Sequence, residues 1–187
     1  SDDEVAQLVH MNPELVKQIY RESGQTYALG ALPRLFWVKN KMPEVYEKTA
    51  MCTMFNDWLI YKMTGVFSSQ PSHPSPSGIF DLKARDWDDQ TAASIGLKTG
   101  IFPKISECGT VVAQVGAKGA AETGLAEGTP VVAGGGDAQL GCVGVGVVDA
   151  NQAAIFGGSF WQYEYNTDEA KTDEHCRVRV NCHSVPG

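Results

Sequence analysis

The first part of the chain alternates apolar and polar residues with the period of an α-helix. Two segments on either side of Pro13 show this spacing: Val5, Leu8 and Val9, then Leu15, Val16 and Ile19. Residues three and four positions apart lie on one face of a helix, so the pattern predicts two helices within residues 1–24. Proline is well tolerated in the first turn of a helix, and Asn12 is therefore the expected N-cap of the second one.

Further helical segments follow before residue 65. The run from Leu35 to Val38 indicates a buried helix, and Pro43 is expected to begin the next one. Residues 51–63 predict another helix, which Gly65 ends as its C-cap. One face of this helix carries large apolar residues, interpreted as core packing rather than a ligand site: Met54, Phe55, Trp58, Leu59 and Met63.

Strands and helices alternate after a polar loop with three prolines at residues 68–77. Trp87 and Asp88 are expected to open a helix that ends near Gly96, and residues 117–123 form another that ends at Gly124. A short strand or turn is predicted at 79–81. Strands are predicted at 111–115, 131–133, 152–156 and 161–165. This alternation predicts an α/β fold.

Composition and charge narrow the classes of function. The 187 residues are 43% hydrophobic and carry a net charge of −7 without a strongly basic stretch, so nucleic acid is not an expected partner. The apolar runs are too short to predict a membrane span. The start, Ser1 to Glu4, is acidic where a secretory signal would be basic, and the five cysteines are scattered. We therefore expect a cytoplasmic protein without structural disulfides.

Two adjacent His–Cys pairs, His175-Cys176 and Cys182-His183, form a candidate zinc site. The residues between them, 177–180, alternate like a strand, and neighbouring strand residues point to opposite faces. Four ligands in that arrangement do not converge easily on a tetrahedral ion, so no metal site is predicted.

A glycine-rich turn is the strongest candidate for chemistry. The strand at 131–133 runs into Gly134, Gly135 and Gly136, and Asp137 then stands where a helix begins. A carboxylate at a helix start is favoured electrostatically and suits general-base work on a substrate hydroxyl. A plain turn with an N-cap aspartate is the other interpretation, and the local sequence leaves both open. A dinucleotide fingerprint fails at Gln139, and no Walker loop occurs.

Four blocks along the chain resemble the FGGY family of carbohydrate kinases and occur in the family's order. They are Trp37 with Pro43-Glu44, residues 56–65, residues 123–137 and Gly157-Gly158-Ser159. The resemblance implies a partial actin-like ATPase (ribonuclease H-like) fold. Residues 1–149 would be the later part of the N-terminal, sugar-binding domain, and residues 150–187 the beginning of the C-terminal, ATP-binding domain. Strand edges would be exposed, and the isolated chain is expected to be inactive.

The same resemblance assigns roles to individual residues. Asp137 would be the catalytic base, and Gly135, Gly136 and Gln139 would bind substrate beside it. Gln139 as a solvent-facing residue is the alternative. Phosphate would lie on Gly157, Gly158 and Ser159, with ATP and Mg²⁺ as cofactors held largely outside this chain. Gly158 replaces the family's usual threonine, and the loop at 69–77 departs from the family pattern, so His73 is taken as an ordinary loop residue.

Within the family, three segments resemble the branch that phosphorylates autoinducer-2: residues 23–34, 134–146 and 156–161. That resemblance implies phosphoryl transfer to the primary hydroxyl of 4,5-dihydroxy-2,3-pentanedione, a quorum-sensing signal. Two alternatives stay open: another FGGY kinase acting on a pentulose or polyol, and a binding domain without catalysis. The expected partner is a small sugar-like molecule rather than nucleic acid or a membrane, and a homo-oligomer is compatible with the sequence.

Overall fold

The computed structural model of the chain describes residues 2–11, 13–25 and 30–186. It divides into two compact units, each built from three segments of sequence. The first unit comprises Ser1–Cys52, Ser75–Phe102 and Ala170–Cys182, and the second comprises Thr53–Pro74, Pro103–Glu169 and His183–Gly187. No helix in these described ranges is long and apolar enough to cross a membrane.

The described residues form a run of helices, α1 to α5, followed by short strands and helices. The helices are α1 (Asp2–Met11), α2 (Pro13–Ser23), α3 (Ala31–Lys41), α4 (Pro43–Lys48), α5 (Phe55–Thr64), α6 (Asp89–Ser94), α7 (Ala117–Thr123) and α8 (Asp137–Gly144). The strands are β1 (Ser68–Ser69), β2 (Phe80–Asp81), β3 (Asp86–Trp87), β4 (Lys104–Ile105), β5 (Val111–Gln114), β6 (Pro130–Val132), β7 (Ala153–Phe156) and β8 (Gln162–Tyr165). The α/β class predicted from the sequence is therefore confirmed.

The strands pair two by two. Strands β1 and β4 are parallel, whereas β2–β3, β5–β6 and β7–β8 are antiparallel. Two local predictions were wrong. Trp87 belongs to β3 rather than to a helix, and α6 begins after Asp88, whose side chain caps it by accepting the N–H of Thr91 at 2.8 Å. Residues 177–180 form turns and loops instead of a strand.

The first unit is built around an apolar core to which α1 to α4 and α6 contribute. Its fully buried residues are Leu8, Ile19, Leu32, Phe36, Tyr46, Ile79, Ala92, Ile95 and Leu97. The two predicted helices on either side of Pro13 are confirmed, while Asn12 lies outside the described residues. Helix α3 is present but only partly buried, because Phe36 faces the core while Trp37 is 41% exposed.

Helices α5 and α7 pack closely in the second unit. Both end as predicted, at Gly65 and Gly124, each with a φ of 78° that favours glycine. Gly119 of α7 lies against the last turn of α5, and a Cβ there would stand 2.1 Å from the carbonyl oxygen of Met63. Glycine at this position therefore lets the two backbones meet.

The apolar stripe of α5 is exposed in this structure. Phe55 is 73% exposed, Trp58 44% and Leu59 42%, and the buried residues of the helix are Asp57 and Ile60. The prediction that this stripe packs into a core was wrong for this chain. Periodicity identifies an apolar face, but it does not show whether a neighbouring element covers it.

Asp57 is a buried carboxylate at the start of α5. Its Oδ2 accepts the N–H of Met54 at 2.9 Å, which satisfies a donor that the helix itself leaves open. Burial raises the pKa of Asp57 to about 6, and the Met54 N–H and the Ser69 hydroxyl only partly oppose this shift. The carboxyl is therefore held in a setting that favours its neutral form.

Asp57→Asn is expected to raise the unfolding midpoint of the full-length protein at pH 8 but not at pH 4. The folded-state pKa lies above the ordinary value of 3.8, so native Asp57 costs stability as the pH rises through about 6. Asparagine can still accept the Met54 N–H and carries no charge, so the gain at pH 8 is on the order of 2 kcal/mol. Thermal unfolding at both pH values measures it. An equal difference at pH 4 and pH 8 would show that ionisation of Asp57 is not the cause.

Candidate functional site

The candidate site is built on a pair of antiparallel strands in the second unit. Strands β5 and β6 pair in antiparallel fashion, and the Ala133 N–H extends the pairing to the Thr110 carbonyl at 2.8 Å. The glycine turn, Gly134 to Gly136, follows at once. Helix α8 then begins at Asp137, where the sequence predicts a helix start, and its first turn is closed by the Leu140 N–H on the Gly136 carbonyl at 2.8 Å.

The carboxylate of Asp137 is exposed at the first residue of α8. Its Oδ1 accepts the N–H of the next residue, Ala138, at 2.9 Å, which fixes the side chain at the helix start. The unpaired amides at this end of a helix favour a negative charge. An exposed, ionised carboxylate in a fixed orientation can accept a proton from a hydroxyl placed against it.

Two of the three glycines before Asp137 are crowded by neighbouring side chains. A Cβ on Gly136 would lie 2.3 Å from Oε1 of Gln139, and one on Gly135 would lie 2.5 Å from Oγ of Ser184, whereas one on Gly134 would meet nothing within 4 Å of the described residues. Gly136 has a φ of −60°, which any residue adopts. Crowding, and not an unusual backbone angle, therefore favours glycine at this position.

Gln139 is buried, with 8% of its surface exposed. It lies under the turn, close to the backbone of Gly136. The alternative of a solvent-facing glutamine is therefore wrong. In this position Gln139 supports the turn that presents Asp137.

The polar segment at residues 68–73 lies against the glycine turn. Oγ of Ser72 accepts the Gly136 N–H at 2.8 Å and donates to Oε1 of Gln70 at 2.8 Å. It also lies 3.3 Å from Oγ of Ser184. Both Gln70 and Ser72 are almost completely buried. The sequence predicts a polar loop here, and in the structure these side chains form a buried polar network that holds the turn in place.

His73 follows Ser72 and lies close to Asp137. Burial of the imidazole lowers its pKa below the ordinary value, and the negative charge of Asp137 opposes that shift. The imidazole of His73 is therefore close enough to Asp137 for the carboxylate charge to affect its pKa. Nothing in the local sequence around His73 indicated this, because Asp137 lies far along the chain.

The predicted phosphate residues form the tip of the β7–β8 hairpin. Gly157, Gly158 and Ser159 are all exposed. The hairpin is joined to the base-bearing helix, because a Cβ on Gly141 of α8 would lie 2.8 Å from the ring of Phe156. The structure thus places both predicted sites in one unit, with α8 packed on the hairpin, but it shows no direct contact between them within the described residues.

Within the described residues, no group of three or more histidine, cysteine, aspartate or glutamate side chains is arranged to hold a metal ion.

A family model matches the part of the chain that contains this strand pair, turn and helix. The family model described as "FGGY family of carbohydrate kinases, N-terminal domain" matches residues 2–144. The chain belongs to the FGGY family of carbohydrate kinases. The family that the sequence resembles is thus confirmed.

The most similar curated relatives include autoinducer-2 kinases. That of Enterobacter sp. (strain 638) is 43% identical over 185 residues, covering 98% of this chain and 35% of the relative. That of Klebsiella pneumoniae subsp. pneumoniae is 42% identical with the same coverage. The chain thus spans about 35% of the length of the FGGY relatives it matches.

Solved xylulose kinases share the fold. Xylulose kinase from Rhodospirillum rubrum superposes with a TM-score of 0.88 at 22% identity, covering 99% of this chain and 37% of that one. Ligand-bound xylulose kinase from Lactobacillus acidophilus gives 0.87 at 22% identity, covering 98% and 37%. The predicted partial sugar-kinase fold of the actin-like ATPase type is therefore confirmed.

Proposed function

We propose that this chain is part of an ATP-dependent kinase that phosphorylates the primary hydroxyl of 4,5-dihydroxy-2,3-pentanedione, the linear form of autoinducer-2. The proposed substrate rests on the 43% identity to an autoinducer-2 kinase over 98% of this chain. The exposed carboxylate of Asp137, held on a crowded glycine turn, supports phosphoryl transfer to a hydroxyl.

Asp137 acts as the general base in this proposal. Its carboxylate accepts the proton of the substrate's terminal hydroxyl while that oxygen attacks the phosphoryl group. Gly135 and Gly136 would contact the substrate through their backbone, since the space that a side chain on either residue would fill is taken by Ser184 and Gln139. Ser72 fixes the turn through the Gly136 N–H, and Gln139 supports it from below. These contacts hold the base in one orientation. Enzymes accelerate phosphoryl transfer mainly by such positioning and by stabilising charge, and little covalent chemistry by the protein is needed.

The exposed hairpin tip fits the phosphate groups of a nucleotide. A Cβ on Gly158 would meet nothing within 4 Å in the described residues, which leaves room there for an anion. Gly157, Gly158 and Ser159 would hold phosphate through backbone N–H groups and the serine hydroxyl. ATP supplies the phosphoryl group when bound, and Mg²⁺ neutralises its charge.

The proposal extends to domain organisation and location. Residues 1–149 would belong to the sugar-binding domain and residues 150–187 would begin the ATP-binding domain. The N-terminal-domain match ends at residue 144, which supports a border near that point. A cytoplasmic location is proposed on the scattered cysteines and the FGGY membership. The partner is a small sugar-like molecule, and a homo-oligomer is compatible with this proposal.

ATP-dependent phosphorylation by the full-length protein tests the proposed function. ADP release is measured with 4,5-dihydroxy-2,3-pentanedione, D-xylulose and glycerol at equal concentrations, and residues 1–187 alone serve as the control that is expected to be inactive. A kcat/KM at least about tenfold higher for the pentanedione is expected. A preference for xylulose or glycerol would leave the family assignment unchanged and contradict the proposed substrate. Absence of turnover with all three would overturn the kinase proposal.

A further inference from the structure

Two polar side chains beside the glycine turn each keep a buried nitrogen without a partner. Within the described residues, Nε2 of Gln70 and Nδ1 of His73 are buried and make no hydrogen bond. Gln70 is only 1% exposed, although its Oε1 accepts from both the backbone N–H and the hydroxyl of Ser72 at 2.8 Å. Buried polar atoms normally have partners, so unpartnered ones next to a candidate base require an explanation.

One hydrogen bond brings His73 to the base. The Gly136 N–H donates to Oγ of Ser72 at 2.8 Å, and the next residues along the two segments are Asp137 and His73. The backbone N–H of His73 donates to the Gln70 carbonyl at 3.2 Å, which closes a tight turn and constrains the backbone at His73. His73 and Asp137 therefore lie on neighbouring segments held together at their backbones.

The unpartnered Nδ1 determines where the proton of the neutral ring lies. A buried N–H without an acceptor is costlier than a buried lone pair, so the proton belongs on Nε2. Burial also lowers the pKa of His73, against the opposing charge of Asp137, which keeps the ring neutral near pH 7. The half-buried ring then presents Nε2–H as a neutral hydrogen-bond donor near Asp137.

We propose that His73 binds the substrate by donating its Nε2–H to the oxygen on the carbon next to the hydroxyl that Asp137 deprotonates. This assignment rests on the proposed kinase function. In 4,5-dihydroxy-2,3-pentanedione that oxygen is the hydroxyl on carbon 4. A neutral donor suits this uncharged oxygen and leaves the negative charge of Asp137 available for the reacting hydroxyl. Gln70 is a positioning residue, because it holds Ser72 and thereby His73.

Steady-state kinetics test this role. The KM values for sugar and ATP are measured for the full-length protein and for three variants, His73→Ala, His73→Gln and His73→Asn. The amide nitrogen of glutamine reaches the position of Nε2, whereas that of asparagine reaches only the position of Nδ1. His73→Ala and His73→Asn are expected to raise the sugar KM about tenfold, and His73→Gln is expected to stay within about threefold of the unaltered protein. The KM for ATP should not change. His175→Ala removes an exposed histidine of the first unit and is the control.

The outcomes separate this inference from the kinase proposal. If Asp137→Asn is inactive while all three His73 variants keep their sugar KM, His73 does not contact substrate and the kinase proposal stands. A fall in kcat with an unchanged KM would mean that His73 acts on Asp137, which also overturns the inference. If His73→Ala does not fold, the glutamine and asparagine variants decide, since an equal KM for both contradicts an Nε2 donor. If the unaltered protein phosphorylates none of the pentanedione, xylulose and glycerol, both proposals fall.

Discussion

Asp137→Asn in the full-length protein is expected to lower kcat for sugar phosphorylation by about 10³-fold. Asparagine has nearly the same shape and can still accept the Ala138 N–H that orients the Asp137 side chain. It has almost no basicity, so the general-base contribution, roughly 10²–10⁴-fold, is lost. The sugar KM should change little, because the base acts mainly in the transition state. Initial rates of ADP release over a range of sugar concentrations measure both constants.

A matched control for this variant is Asp89→Asn. Asp89 is also an exposed aspartate at the first residue of a helix, α6, so the substitution makes the same change at a helix N-terminus. It should leave kcat within about twofold and alter stability by no more than about 0.5 kcal/mol. Should Asp137→Asn retain more than about a tenth of the unaltered kcat, the base has been assigned to the wrong residue.

Gly119→Ala is expected to destabilise the protein by about 3–4 kcal/mol, the largest effect on stability among these predictions. The new methyl carbon would lie 2.1 Å from the Met63 carbonyl oxygen and 2.8 Å from its Cα. Because these are backbone atoms, no side-chain rotation relieves the overlap, and α5 and α7 must separate. The loss is measured as a lower thermal unfolding midpoint of the full-length protein.

Gly144→Ala provides the comparison for the helix glycines. Gly144 is the last residue of α8, and a Cβ there would meet nothing within 4 Å of the described residues. Alanine is the better helix former, so this change should be neutral or stabilise by up to about 1 kcal/mol. If both substitutions shift the midpoint equally, the close contact between α5 and α7 is not what requires glycine at residue 119.

Elements with strong local signals were predicted closely from the sequence. Helix α7 spans the predicted residues, Ala117–Thr123, and ends at Gly124 because its helical pattern and C-cap lie within a few positions. The exposure of the α5 stripe was not predictable in the same way. An apolar periodicity shows that a face can be buried, whereas the exposure of Phe55 depends on what packs against it.

The same holds for the candidate site: features that depend on neighbouring residues in the sequence were predicted, and features that depend on distant residues were not. Asp137 was identified because glycines, carboxylate and helix start are consecutive in the sequence. The network around it was missed, because the Gly136–Ser72 bond joins residues 64 positions apart and the Ser72–Ser184 contact spans 112. A polar run such as residues 68–73 has the composition of a loop. Its burial cannot be predicted from that composition, because it depends on contacts with distant segments of the chain.

The exposed apolar side chains have a practical consequence for handling residues 1–187 as a separate polypeptide. Phe55 on α5 and Trp161 in the β7–β8 loop are each more than 70% exposed, and Ile155 and Tyr163 extend the apolar surface along the hairpin. Such surfaces attract one another in concentrated solution and bind detergents and fluorescent dyes. The net charge of −7 opposes this attraction near neutral pH. A buffer near the isoelectric point, pH 5.0, would remove that repulsion and precipitate the polypeptide.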